Sequence, residues 1–249
     1  MKQFLLPTLP SPKDEFLRLE GKDFHYLCHV RRLNPGDTIR ARDREGTAYL
    51  LAMTAVNGES CTFAIKEREE SSQKDECRIT LFQALPKGKK MDQIVRQATE
   101  AGVSTIVPLE SDFSLVKFST PKDRKAKKER WERIVKEALQ QSGSSLNTTI
   151  EEPAPFSRLE DFIRSGGKGF FCHQSPLGNG LILPVLSAEE SVDEIGILIG
   201  PEGGLSPKEV DSLEKWGYDS VWFGDNVLRA ETAALYAIAA LRTILREMY

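Results

Sequence analysis

The sequence predicts an α/β fold with a mostly parallel sheet, preceded by a small β-barrel-like module. After about residue 77, short apolar strands alternate with longer helical patterns, which is typical of a parallel sheet covered by helices. Before that point, short segments are separated by turn sequences such as Pro35-Gly36-Asp37 and Asn57-Gly58, which indicates strands joined by tight turns. A chain of 249 residues, 40% of them hydrophobic, is long enough for one large domain or two smaller ones.

The amino-terminal part contains three predicted strands, at residues 38–43, 47–53 and 60–66. The next stretch, residues 67–76, is polar and charged without apolar periodicity, which marks a linker. We therefore predict a β-barrel-like domain at residues 1–72 and an α/β domain at residues 73–249.

The second domain has strands and helices in alternation. In order, the sequence predicts a strand at 78–83, a helix near 91–101, a strand at 105–109, a helix from about 121 to 141, strands at 169–173 and 195–199, a helix from 206, a strand at 220–223 and a helix from about 230 to 247. The strand at 195–199 is almost entirely apolar, so we expect it to be central and covered on both faces.

Composition argues against several classes of function. The net charge of −3 is not typical of a nucleic-acid-binding protein, although a local basic patch on an acidic protein is enough to bind RNA. The four cysteines form no C-x-x-C pair and the three histidines lack ligand-like spacing, so neither a disulfide framework nor a metal site is expected. Without an apolar run near the roughly 20 residues that cross a bilayer, or a signal peptide, a cytoplasmic protein is the expectation.

The most informative segment is the turn from Gly200 to Glu209, which leads from the apolar strand into a helix. Ser206 is a predicted N-cap, Pro207 suits the first helical position, and Glu209 closes a capping box. Three glycines in the turn allow backbone amides to approach a ligand closely. A turn that only connects two elements is an equally weighted alternative.

A phosphate is a poor candidate ligand for this turn. The segment has neither the Gly-x-Gly-x-x-Gly spacing of a dinucleotide site nor the Gly-Lys-Ser/Thr of a P-loop. Pro201 removes an amide donor and Glu202 adds negative charge, so a ligand that is not an anion fits better.

Basic residues form two small clusters that we expect at strand-to-loop transitions. One is Arg31-Arg32 in the first domain, and the other contains Lys87, Lys89 and Lys90 after the first strand of the second domain. Each cluster either contacts RNA phosphates or serves solubility. The basic residues between 117 and 133 alternate with acidic ones and are predicted to be a solvated helix face.

Arg229 stands at the entrance of the last helix, where the helix dipole is already positive. A guanidinium there is electrostatically unfavourable unless an anion or carboxylate pairs with it. We therefore predict a functional role for Arg229.

Two segments together resemble the SPOUT methyltransferases, and within them the RsmE family, which methylates N3 of a uridine in 16S ribosomal RNA. They are Ile199-Gly200-Pro201-Glu202-Gly203-Gly204-Leu205-Ser206 and the run from Phe223-Gly224-Asp225-Asn226 to Ala233. Weaker similarities cover His29 to Asp37, which is similar to the family's PUA-like RNA-binding module, and residues 85–92 and 98–103.

The resemblance implies a SPOUT α/β trefoil-knot domain, a homodimer and S-adenosylmethionine as cofactor, without a metal. The cofactor would lie in the loops after three neighbouring strands. The residues implied to hold it are His173, Gln174, Leu198, Ile199, Gly200, Pro201, Glu202, Gly203, Gly204, Phe223, Gly224, Val227, Leu228 and Arg229.

The implied reaction is S-adenosylmethionine-dependent methylation of 16S rRNA, either free or in the small ribosomal subunit. Because uracil N3 is a poor nucleophile until its proton leaves, a catalyst must stabilise the resulting negative charge, and Arg229 is the candidate. Glu231 is a weaker candidate for the proton acceptor, since an acidic residue in the first turn of a helix also has a purely structural explanation. The alternative function is an RNA-binding or ribosome-assembly protein with weak catalysis.

Two segments depart from the family pattern. Asp112-Phe113-Ser114 stands where the family commonly shows Glu-Arg-Ser, and Ser144 to Asn147 replace the usual Arg-x-x-Pro. Both changes are expected to affect the RNA side of the site more than cofactor binding.

Overall fold

The computed structural model describes residues 3–70, 77–144, 146–177 and 192–248. The chain divides into two compact units, one of which contains residues from two separate stretches. The amino-terminal unit comprises Met1–Asp75 and Leu139–Asn147, and the carboxy-terminal unit comprises Glu76–Ala138 and Thr148–Tyr249.

The amino-terminal unit contains a five-stranded sheet with the order β1-β3-β4-β5-β2. Its strands are β1 (Phe4–Leu5), β2 (Phe16–Glu20), β3 (Thr38–Arg42), β4 (Ala48–Asn57) and β5 (Ser60–Glu69). A short helix α1 (Gly21–Phe24) continues into a π-helical turn, His25–Val30. Buried side chains such as Leu27, Leu51 and Phe63 form the core of this unit. The three predicted strands are confirmed, whereas β1 and β2 had no clear sequence signal.

The predicted linker begins later than the sequence indicated. Glu67, Arg68 and Glu69 pair with β4 as the end of β5, so this part of the prediction is wrong. In this part of β5 the Arg68 guanidinium lies 5.3 Å from the centroid of the Tyr49 ring on the neighbouring strand, a cation–π contact that supports the pairing. Residues 71–76, the rest of the predicted linker, lie outside the described residues.

The carboxy-terminal unit is built on a parallel sheet with the order β12-β10-β11-β6-β7-β8, and β9 also pairs with β7. The elements are β6 (Arg78–Ala84), α2 (Lys90–Glu100), β7 (Thr105–Glu110), α3 (Pro121–Ser142), β8 (Thr149–Ile150), β9 (Ala154–Pro155), α4 (Arg158–Arg164), β10 (Lys168–Cys172), β11 (Glu194–Ile199), α5 (Pro207–Trp216), β12 (Asp219–Val221) and α6 (Ala230–Met248). The last residues of α3 belong to the amino-terminal unit.

This architecture confirms the predicted α/β class with a parallel sheet. Each predicted element is present within a few residues, while β8, β9 and α4 are too short for periodicity to reveal. A trace of the predicted knot requires residues 178–191, which lie outside the described residues. No helix in the described part of the chain is long and apolar enough to cross a membrane.

Strand β11 lies between β10 and β6 and is buried on both faces, as its apolar sequence predicts. On one face, Gly196 leaves room for two aromatic rings, Phe82 and Phe162, which meet edge to face at 5.1 Å between centroids. A Cβ added to Gly196 would lie 2.7 Å from Phe162 and 2.8 Å from Phe82. The glycine is therefore required by packing.

We expect Gly196→Val to lower the free energy of unfolding by about 1–3 kcal/mol or more, because the added methyl groups overpack this aromatic contact. Urea unfolding followed by circular dichroism measures the change. As a control, Ala55→Val adds methyl groups at a half-buried position of β4 and should change stability far less. Equal stabilities for the two variants would contradict the packing explanation.

Candidate functional site

Three loops meet at the carboxyl ends of neighbouring strands and enclose a cavity of about 300 Å³. They follow β10, β11 and β12, which are adjacent in the sheet in the order β12-β10-β11. The backbone N–H of His173 donates to the carbonyl of Val221 at 3.0 Å and ties the first loop to the third. Ligands of open parallel sheets bind at this end of the strands, so the cavity is the candidate ligand site.

The segment after β11 has the local structure that its sequence predicts. Ser206 is the N-cap of α5, its hydroxyl accepts from the Glu209 N–H at 3.2 Å, and the Glu209 carboxylate accepts from the Ser206 N–H at 2.8 Å. The predicted capping box is thus confirmed, with Pro207 at the first helical position. This cap fixes the direction in which the chain leaves the turn.

Two of the glycines in the turn at residues 200–204, hereafter the glycine turn, are required for different reasons. Gly204 has a φ of 73°, in the left-handed region that other residues rarely adopt. A Cβ on Gly200 would lie 3.3 Å from the carbonyl carbon of Gly204, so the turn closes on itself at this point. Backbone groups can therefore line the cavity directly.

Most residues predicted to hold a cofactor line the cavity, although Leu198 and Gly203 do not. Leu198 is buried in β11, and Gly203 lies against Phe113 instead. The predicted residues that line the cavity are His173, Gln174, Ile199, Gly200, Pro201, Glu202, Gly204, Phe223, Gly224, Val227, Leu228 and Arg229.

Five further residues line the cavity that the sequence analysis did not assign to the cofactor: Lys90, Cys172, Asn226, Ala230 and Ala233. Lys90 was predicted to bind RNA instead. Cys172, Asn226 and Ala230 directly adjoin predicted ones along the chain, and Ala233 lies one helical turn beyond Arg229, so extending each motif would have found these four. Burial raises the pKa of the Cys172 thiol, so this side chain is neutral.

Lys90 lies between two carboxylates at the cavity wall. Its ammonium is 2.8 Å from Glu202 Oε1 and 3.5 Å from Glu231 Oε2. The backbone N–H of Lys87 also donates to the Glu202 carboxylate, at 3.2 and 3.3 Å. The loop after β6, the glycine turn and the first turn of α6 are thus joined by one charged cluster, with two carboxylates for one cation.

Burial alone would raise the pKa of the Glu202 carboxyl, but the hydrogen bonds from the Lys90 ammonium and backbone amides outweigh it, so its pKa is lowered. The hydrogen bond to Glu202 raises the pKa of Lys90. A lowered carboxyl pKa stabilises the fold above the ordinary glutamate pKa, and this contribution is lost as the pH falls through the lowered value.

We expect Lys90→Met to raise the pKa of Glu202, because the strongest donor to its carboxylate is removed. An NMR titration of the Glu202 carboxyl in both proteins measures the change. Lys215→Met, at an exposed position in the last turn of α5, is the control and should leave that titration unchanged. An unaltered Glu202 titration in Lys90→Met would contradict the assigned cause.

The two predicted catalytic residues stand at the start of α6 in different environments. Arg229 lines the cavity, is exposed, and has no ion pair with any residue that the structure describes. Glu231 lies behind the cavity wall, and its Oε2 is buried without a hydrogen bond from the described residues. Arg229 is therefore a cation free to meet an anion in the cavity, whereas Glu231 does not line the cavity and contacts it only through Lys90, 3.5 Å away.

The residues predicted to bind RNA fall into two groups. Arg31 and Arg32 belong to the amino-terminal unit and follow the π-helical turn. The prediction that they lie at the end of a strand is therefore wrong. Arg32 has a φ of 56°, a strained value for a residue with a side chain. In the carboxy-terminal unit, Lys87 and Lys89 are exposed, whereas Lys90 is engaged at the cavity.

Of the two segments that depart from the family pattern, one adjoins the glycine turn. The backbone N–H of Asp112 donates to Glu209 Oε1 at 2.9 Å, and the Ser206 hydroxyl donates to Asp112 Oδ2 at 2.6 Å. The other segment belongs to the amino-terminal unit, where the Ser144 carbonyl accepts from the Gln3 amide at 2.9 Å.

Comparison with known proteins identifies the family to which this chain belongs. The model of an RNA methyltransferase domain matches residues 73–242, and the model of an RNA methyltransferase PUA domain matches residues 19–66. The chain is 30% identical over 249 residues to ribosomal RNA small subunit methyltransferase E 2 of Borreliella burgdorferi, covering 99% of both proteins. The chain belongs to the ribosomal RNA small subunit methyltransferase E family.

Other members of the family match along nearly the whole length. The enzyme of Bacillus subtilis is 27% identical over 226 residues, which is 90% of this chain and 88% of that protein. A crystal structure of the Neisseria gonorrhoeae member, bound to S-adenosyl methionine, superposes with a TM-score of 0.81 at 26% identity and covers 98% of both chains. The predicted family and the PUA-like amino-terminal module are confirmed.

Proposed function

We propose that this protein transfers a methyl group from S-adenosylmethionine to N3 of a uridine in 16S ribosomal RNA. The observation that best supports the proposal is the cavity formed by the loops after β10, β11 and β12, which combines a glycine turn, the Lys90–Glu202 ion pair and an arginine without an ion pair among the described residues. The proposal includes a PUA-like RNA-binding domain at residues 1–72 and a methyltransferase domain at residues 73–249.

The residues present fit the proposed cofactor. A volume of about 300 Å³ lies at the lower end of the range for small-molecule sites. Apolar side chains such as Ile199, Pro201 and Leu228 suit the adenine ring, and the backbone of the glycine turn suits its polar edge. Glu202 in the lining and Glu231 beside it share the single Lys90 ammonium, so this cluster carries one net negative charge, which favours a cationic sulfonium.

The protein's own contribution to the reaction is orientation and charge. The bound cofactor supplies an electrophilic methyl group on sulfur. Arg229 donates hydrogen bonds toward the uracil carbonyl oxygens, where negative charge accumulates once N3 loses its proton. Glu231 is the proposed proton acceptor, and Lys90 holds it near the cavity. Alignment of the two reactants by the three loops supplies much of the remaining acceleration.

The RNA substrate, either free 16S rRNA or the small subunit, would contact basic residues of both units. We propose phosphate contacts for Arg31, Arg32, Lys87 and Lys89, of which Lys87 and Lys89 are exposed near the cavity, whereas Lys90 is held by Glu202 and Glu231 instead. Since ribosomal subunits are assembled in the cytoplasm, the protein would act there.

A homodimer is also proposed. Its support is a set of exposed apolar side chains on and before α6, namely Val227, Leu235 and Tyr236. Apolar side chains in such positions are typical of surfaces that a second subunit covers.

Calorimetry with S-adenosylmethionine and mass spectrometry of 16S rRNA test the function. We expect saturable cofactor binding, and loss of one methylated uridine in cells that lack the protein. Restoration by the wild-type chain completes the test. If the rRNA is unchanged while the protein still binds ribosomes, the RNA-binding or assembly alternative replaces the proposal.

A further inference from the structure

The loop between β7 and α3 presents exposed apolar side chains beside the cavity. Phe113 is 46% exposed and Leu115 is 70% exposed. Large apolar side chains that are exposed close together on one loop are typical of a contact surface, unlike a single exposed one. This loop therefore marks a contact surface.

The loop is held in place by hydrogen bonds. The Asp112 backbone and side chain bond to Glu209 and Ser206, which form the capping box of α5. The Ser111 and Ser114 hydroxyls on either side are buried and 3.1 Å apart. Because its neighbours are fixed, Phe113 can contact a partner with little loss of conformational entropy.

Phe113 lies on the outer side of the glycine turn. A Cβ on Gly203 would be 3.2 Å from the Phe113 Cβ and 3.6 Å from its Cγ, so the side chain rests directly on that glycine. Glu202 and Gly204, the neighbours of Gly203 in the chain, line the cavity, whereas Phe113 does not. The ring is next to the cavity but outside it.

Exposed lysines on this loop and on the loop after β6 favour a nucleic acid as the partner. Lys87 is exposed and its backbone N–H bonds to Glu202, one residue from Gly203. Lys89 and, on the loop itself, Lys117 are also exposed. An exposed aromatic side chain, with exposed lysines on the same loop and on the loop after β6, is the combination with which proteins hold single-stranded RNA, by stacking a base and contacting its phosphates.

We propose that Phe113 is a stacking platform for a base that flanks the target uridine. This inference rests on the proposed function. A uridine that enters the cavity leaves its neighbour in the strand without a stacking partner, and the Phe113 ring replaces that partner at the cavity mouth. Since Phe113 lies outside the cavity, it contributes to RNA binding and not to cofactor binding.

Three variants test the proposal with small subunits that lack the methyl mark. Phe113→Ala and Phe113→Leu should each raise the KM for the subunit about tenfold or more, because base stacking on an aromatic ring is lost. Phe113→Tyr, which keeps the ring, should stay within about twofold of wild type. The dissociation constant of S-adenosylmethionine should be unchanged in all three.

Several results would overturn the inference. A KM for Phe113→Ala equal to that of wild type means that no base stacks there. A normal KM for Phe113→Leu with a raised KM for Phe113→Ala indicates apolar contact with protein, and a change of oligomeric state by light scattering identifies a second copy as the cover. If the wild-type protein transfers no methyl group to these subunits or to free 16S rRNA, the proposed function fails instead.

Discussion

Arg229→Ala should reduce methyl transfer to the small subunit by about 10²- to 10³-fold, the usual effect of removing one preorganised donor to a developing anion. The affinity for S-adenosylmethionine should remain nearly intact. Arg229 has no ion pair with any described residue, so its replacement disturbs no charge network in that part of the chain. Radiolabelled methyl transfer and calorimetry measure the two quantities.

Two further variants make the test of Arg229 specific. Arg246→Ala removes an exposed arginine from the last turn of the same helix and should leave transfer unchanged. Arg229→Lys keeps the charge without the planar fork and should retain part of the activity. If Arg229→Ala weakens cofactor binding as much as it slows transfer, the arginine holds the cofactor rather than the uracil.

Gly200→Val should weaken S-adenosylmethionine binding at least tenfold, about 1.4 kcal/mol. A Cβ at Gly200 already lies 3.3 Å from the backbone of Gly204, and the two further methyl groups of valine have no free space on that side. The turn must open, which displaces the backbone that lines the cavity. Calorimetry measures the affinity, and circular dichroism checks that the sheet is retained.

A graded series strengthens this second test. Gly200→Ala adds only the Cβ, a contact that a small shift of Gly204 relieves, so we expect a smaller loss of affinity than for valine. Methylation should fall in parallel with cofactor affinity in both variants. A valine variant that binds the cofactor as tightly as wild type would show that the glycine turn is not part of the site.

Local signals explain why the glycine turn could be predicted from the residues, whereas the cavity loops at residues 173–174 and 223–229 were implied by the family resemblance. The glycines, the N-cap Ser206 and the apolar strand before them are adjacent in the chain, and their physical requirements are independent of tertiary contacts. The same holds for the alternation of strands and helices, which fixes the fold class.

The parts that could not be predicted depend on contacts between distant residues. Lys90 meets Glu202 across 112 positions of the chain, so nothing near either residue distinguishes a cavity wall from an RNA-binding surface. Likewise, the charged end of β5 pairs with β4, and Arg68 lies over Tyr49 of that neighbouring strand, a contact that the local sequence does not reveal. Strands of two residues such as β8 have no periodicity at all.

The division of the chain has a consequence for modular exchange between relatives. The chain crosses between the two units at 75–76, 138–139 and 147–148. Within the amino-terminal unit, the side-chain amide of Gln3 donates to the Leu139 and Ser144 carbonyls and so joins residues 139–147 to the first strand region. A single recombination breakpoint near residue 73 would transfer an amino-terminal module without the segment that completes it. The two units are therefore expected to be inherited together, and a chimaera needs a matched graft of residues 139–147.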